Sequence, residues 1–137
     1  MNSLHLWMVA KNHKMLSRKL NTHLPVHVPI VRNIDETKVE MIRETFPRKA
    51  LITDIKPPAK LLMSEPEDYF IGFDCVLFEQ KMPLLIYEVF SSDITNEEVR
   101  EIFPELETPG EELEAILCLA RRSMDHPFVY ELTELED

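Results

Sequence analysis

Residues 4–55 alternate between apolar or β-branched runs and amphipathic stretches, and this alternation limits the available folds more than any other feature of the sequence. Leu4-His5-Leu6-Trp7-Met8-Val9-Ala10 reads as a strand of nearly continuous apolar character. Lys11 to Leu24 follows with Leu16, Leu20 and Leu24 at four-residue spacing, which lays one apolar stripe along a helix. Pro25 ends that helix, because proline removes a backbone donor and restricts the residue before it. Val26 to Val31 reads as a second strand, with Pro29 placing part of it at a sheet edge or delaying its pairing. Asn33 or Asp35 can cap the next helix, Val39, Ile42 and Phe46 give it an apolar face, and Pro47 closes it. Lys49 to Ile55 is then a third strand. A β-α-β-α-β order with short connections is the signature of a parallel sheet wrapped by helices. The expected fold is therefore α/β: three α/β/α layers around a mainly parallel, doubly wound sheet.

Within that frame Ala50-Leu51-Ile52 suits a strand buried on both faces. Asp54 falls where the run ends, and Pro57 and Pro58 forbid continuation as a central strand. The carboxyl end of such a strand is where open α/β sheets place ligands, so Asp54 is a candidate site residue. Beyond it, Pro57 to Tyr69 is loop-like, with three prolines and the acids Glu65, Glu67 and Asp68. Phe73 to Phe78 is either buried helix or strand, and Leu84 to Phe90 is a clearer strand. Ser91-Ser92-Asp93 is a loop, and Thr95 with Glu98 caps a short helix through Phe103. Thr108-Pro109-Gly110-Glu111 starts another helix, which would pack Leu113, Ile116, Leu117 and Ala120 and end on Arg121 and Arg122. Phe128 to Thr133 is a candidate last strand. The chain divides into one domain over residues 1–122 and an acidic extension over residues 123–137.

Composition narrows the function. The 137 residues carry a net charge of −10, which repels nucleic-acid phosphate and disfavours direct DNA or RNA binding. Cys75 and Cys118 lie in apolar surroundings and read as buried free thiols, too few for a disulfide framework or a zinc pattern. The only glycines, Gly72 and Gly110, leave no phosphate-cradling loop. His23 and His27 are four apart, but Pro25 breaks any helix that would bring them together on a metal, so no metal site is expected. No apolar run near the start is long enough for a signal peptide or membrane span, which makes a cytoplasmic protein without membrane contact the default.

Two constellations resemble known families. Asp74 in Phe73-Asp74-Cys75-Val76-Leu77-Phe78 and Glu88 in Ile86-Tyr87-Glu88-Val89-Phe90 would share a metal if the two segments formed a hairpin. That resembles the core of restriction-endonuclease-like nucleases, which carry Asp and then Glu-x-Lys. Here Phe90 holds the lysine position, removing the charge stabiliser that hydrolysis of a phosphodiester needs.

Residues 3–122 resemble a response-regulator receiver domain. Asp54-Ile55-Lys56-Pro57-Pro58 is similar to the phosphoacceptor aspartate and its downstream proline. Pro83 to Ile86 with Ser91 or Ser92 looks like the fourth strand and its terminal hydroxyl. Leu106-Glu107-Thr108-Pro109 looks like a shortened lysine-proline turn. The resemblance implies a flavodoxin-like sheet and also defines what is missing. The place of the family's Mg²⁺-binding acids holds Ala10-Lys11-Asn12, and the lysine position holds Glu107. Mg²⁺ would enter only if Asp54 or the Asp74/Glu88 pair were functional.

The reading that follows is a non-catalytic pseudo-receiver: a protein–protein interaction module in signalling or transcriptional regulation, with a protein partner and a homodimer as a further option. The alternatives are a divergent metal-dependent nuclease using Asp74 and Glu88, and an acidic inhibitor using the tail Glu131-Glu134-Glu136-Asp137.

Overall fold

A computed structural model describes residues 4–20, 23–56, 62–63, 69–89, 112–125 and 129–135. Its strands are β1 (Leu4–Ala10), β2 (His27–Val31), β3 (Lys49–Lys56), β4 (Leu62–Met63), β5 (Tyr69–Leu77), β6 (Gln80–Val89), β7 (Leu113–Arg122) and β8 (Tyr130–Glu134). The helices are α1 (His13–Leu20) and α2 (Val39–Thr45), the latter preceded by a 3-10 turn over Glu36–Lys38. Strand order is β1-β2-β6-β5-β3-β7-β8, and β1 also pairs with β7. Six strands thus close a barrel, and every strand pairing described is antiparallel.

The expected parallel α/β/α sandwich is wrong, and with it the receiver and flavodoxin comparison as a guide to architecture. The reason lies in β1. Its continuous apolar run reflects burial on both faces. The two covers, however, are the barrel interior and an outer cluster, not two helical layers. Leu4, Leu6, Met8 and Ala10 are buried on one face, Trp7 and Val9 on the other. Leu6, Met8 and Ala10 join the main core, whereas Trp7 and Val9 pack with Leu24, Leu85, Cys118, Ala120 and Tyr130. After α1 the chain returns antiparallel, pairing Met8 with Val28 and Val9 with His27.

The same double burial explains the error over residues 113–122. Leu113, Ala115 and Leu117 enter the interior, while Cys118 and Ala120 join the outer cluster. An apolar run interrupted only by Glu114 can be drawn as a helical stripe as readily as a strand. Arg121 and Arg122 therefore do not complement a helix dipole. Arg121 pairs with Glu36 at 2.5 Å, and Arg122 Nη2 donates to the Tyr130 hydroxyl at 2.8 Å.

β3 corrects a third expectation. Leu51 is 51% exposed, so Ala50-Leu51-Ile52 is not buried on both faces, and the strand continues past Asp54 to Lys56. Ala50 and Ile52 pack against the core, and strict alternation would send Asp54 inward after them. A bulge between Thr53 and Lys56, with Asp54 at φ 52°, shifts the parity. Asp54 stays exposed and Ile55 takes the inward place, 3% exposed.

Residues 73–77 resolve as strand. β5 and β6 form a hairpin with Leu77 opposite Gln80. The two-residue turn places Phe78 and Glu79 both at positive φ, the conformation that matches strand twist in tight hairpins. Phe73 is fully buried in the core, worth about 2–3 kcal/mol by area removed from water. α2 follows expectation: Asp35 Oδ1 accepts from the Thr37 N–H at 3.0 Å at the start of the 3-10 turn, and Val39, Ile42 and Phe46 pack on the core.

Tyr130–Glu134, within the stretch read as an acidic extension, pairs with β7 from Cys118 to Arg122. β7 shares one edge between β3 and β8: the Leu117 N–H donates to Arg48 O at 2.9 Å, and Leu117 O accepts from the Leu135 N–H at 3.0 Å. On the other side of the barrel, β2 and β6 pair at His27 and Leu85. Pro29 is tolerated there because that edge of β2 makes no further pairing among the described residues. No helix among the described residues is long and apolar enough to cross a membrane.

Candidate functional site

Among the described residues, three places gather chemically capable side chains. The first is a 910 Å³ groove where the start of α1 meets β3 and β7. The β1–α1 turn is tied down by the Lys11 N–H, which donates to Glu114 O at 2.8 Å. Lys11 Nζ also reaches the Glu114 carboxylate at 3.7 Å, an exposed pair of little energetic weight. Lys49 and Leu51 share the outward face of β3 and line the groove, joined there by Met15 from α1 and Ile116 from β7. Met15 is 49% exposed. His13, on the same wall, has its pKa lowered by burial and then by Lys14, against an opposing pull from Glu134.

A 610 Å³ cavity on the other flank of β3 holds Asp54, Lys56, Asp74, Cys75 and Lys81. It brings together two acids that the sequence assigned to different readings. Of the neighbours expected around Asp54, the described ones lie elsewhere. Ala10 is fully buried in β1, and Lys11 and Asn12 line the first groove, not this one. Glu88 sits opposite Phe70 in the β5–β6 register, whereas Asp74 sits opposite Pro83. Four residues of β5 therefore separate those two backbone positions, about 13 Å of strand. Ser91, Ser92 and Glu107 lie outside the described residues, as do the helix expected through Phe103 and the Thr108–Glu111 capping box. Among the described residues, no group of three or more His, Cys, Asp or Glu is placed to hold a metal ion.

The third place is an aromatic stack on the outer face of the barrel. Trp7 and His27 stack with centroids 3.6 Å apart and planes 17° from parallel, and Tyr130 tilts against Trp7 at 4.6 Å. His27 Nδ1 donates to Pro25 O at 2.7 Å, fixing the neutral tautomer. Burial, more than the nearby His5 and Arg32 charges, pushes the His27 pKa down to about 3. The thiols are equally inert: burial, aided by Asp74 and Glu134 respectively, raises Cys75 and Cys118 to about 12. Cys75 Sγ donates to Met82 O at 3.2 Å.

Sequence reasoning singled out Lys11 and Asn12 but missed the rest of the first groove. The available signal was the exposed-face pairing of Lys49 with Leu51, two apart on a strand, and it was hidden by treating Ala50-Leu51-Ile52 as one buried unit. No family model, characterised protein or solved structure matches this chain.

Proposed function

We propose that this chain is a non-catalytic interaction domain that docks a protein partner in the groove between the start of α1, β3 and β7. The observation that carries the reading is Met15 and Leu51, two large apolar side chains each about half exposed and lining one groove. Single exposed apolar residues are ordinary, but several grouped in a concave, charge-rimmed site mark interaction surfaces. Receiver chemistry has no part in this. Asp54 projects from a bulge in a barrel strand and belongs to a different cavity from Lys11 and Asn12. The two buried free thiols suit a reducing compartment, which favours the cytoplasm.

The test is photo-cross-linking in the source cells, with p-benzoylphenylalanine in place of Leu51 and, as a control, in place of the highly exposed Met124 outside the groove. The reading predicts a discrete cross-linked protein from position 51 only, weakened by Met15→Glu. Identical products from both positions, or none from position 51, would contradict it.

A further inference from the structure

The geometry points to an acidic, extended peptide segment, carrying apolar residues between its carboxylates, as the occupant of this groove. The inference rests on the groove being a docking site and goes further by naming what it recognises. The chain as a whole is strongly acidic, at −10, yet Lys11, Lys14 and Lys49 converge here with His13, against Glu114 and Glu134. Lys11 is engaged by Glu114. Lys14 and Lys49 make no ion pair among the described residues, leaving two ammonium groups to meet carboxylates.

The apolar part of the recognition comes from Met15, Leu51 and Ile116 on the same walls. An extended segment alternates its side chains, so it can offer apolar groups to these residues while its acids reach the lysines. Phosphodiester ligands fit less well. Glu114 and Glu134 oppose a dense line of phosphates, and so does the overall charge.

His13 adds a signature. It faces Lys14 on its own helix, with Lys11, Lys49 of β3, Glu114 of β7 and Glu134 of β8 around the groove. Burial lowers its pKa, and incoming carboxylates favour the imidazolium. Binding of an acidic segment therefore takes up a proton and tightens as the pH falls toward the imidazole range.

The experiment is fluorescence polarisation with the full chain and a short fluorescein-labelled peptide repeating Glu-Leu-Ser. A Lys-Leu-Ser repeat and an oligothymidylate serve as comparators. Expected is saturable binding of the acidic peptide alone. It should weaken about tenfold in the Lys14→Glu/Lys49→Glu double variant and in Leu51→Ser, changes at solvent-facing positions, with unaltered melting confirming the fold. The gain at lower pH should vanish in His13→Gln. The inference is overturned by no saturable binding of the acidic peptide, by equal binding of either comparator, or by an unchanged affinity in the double variant. Self-association that fills the groove, seen by sedimentation and abolished by Leu51→Ser, overturns it too. A cross-link from position 51 to a basic segment removes the acidic occupant and leaves the docking function standing. Loss of the cross-link removes both.

Discussion

Acid should loosen the barrel through a single residue, His27. Its ring is 1% exposed, stacked on Trp7 and bonded through Nδ1 to Pro25 O, and it makes the only described pairing between β2 and β6. The folded protein therefore resists protonating it, holding its pKa at about 3 against 6.5 for a free side chain. The sign follows from linkage. Between those values the unfolded chain binds a proton that the folded chain does not, so stability falls as the pH drops below about 6.5. The slope is about 1.4 kcal/mol per pH unit, and the loss is complete near the folded value, at about 5 kcal/mol in all. That is a large share of a small domain's stability. The assay is urea unfolding followed by the fluorescence of Trp7, the only tryptophan, from about pH 7 to about pH 4. Wild type is compared with His27→Phe, which keeps an aromatic ring on Trp7 and cannot titrate. Carboxylates shared by both proteins cancel in the difference. The stability advantage of wild type over the variant should shrink with the stated slope as the pH falls. Parallel curves for the two proteins would refute the reasoning.

Gly72→Ala should cost about 3 kcal/mol, because the new Cβ would lie 2.0 Å from the backbone carbonyl oxygen of Leu84, which cannot swing away as a side chain could. Chemical denaturation measures it, and a loss below about 1 kcal/mol would mean that β5 and β6 are not packed this closely at the bulge beside Gly72. Cys75 and Cys118 should be silent to a thiol reagent at mildly alkaline pH in the native protein and react fully in denaturant, since both thiols are buried and held at about 12. Rapid labelling of the folded chain would contradict their burial.

Local structure was legible wherever one face of an element meets the core. Val39, Ile42 and Phe46 announced α2, and Leu16 marked the buried face of α1. What misled was burial on two faces. Trp7 and Val9 look like part of a central parallel strand, and Leu113 to Ala120 like a helix, because a barrel with an outer cluster leaves neither face of β1 or β7 polar. Pairing partners are a second blind spot. β1 finds β7 from the far end of the chain, and nothing in the short-range pattern records a contact of that separation. The bulge at Asp54 is a third. An aspartate after an apolar run reads as a strand end, whereas here its left-handed backbone lets the strand continue and redirects Ile55 inward.

Groove, barrel closure and outer cluster all depend on β1 lying antiparallel between β2 and β7. Cross-strand proton–proton contacts in a nuclear Overhauser spectrum read that arrangement directly. The structure predicts backbone contacts in the registers Trp7 to Cys118 and Val9 to Ile116, together with Met8 to Val28. Contacts placing β1 parallel to β3, with 113–122 showing the sequential amide pattern of a helix, would contradict it.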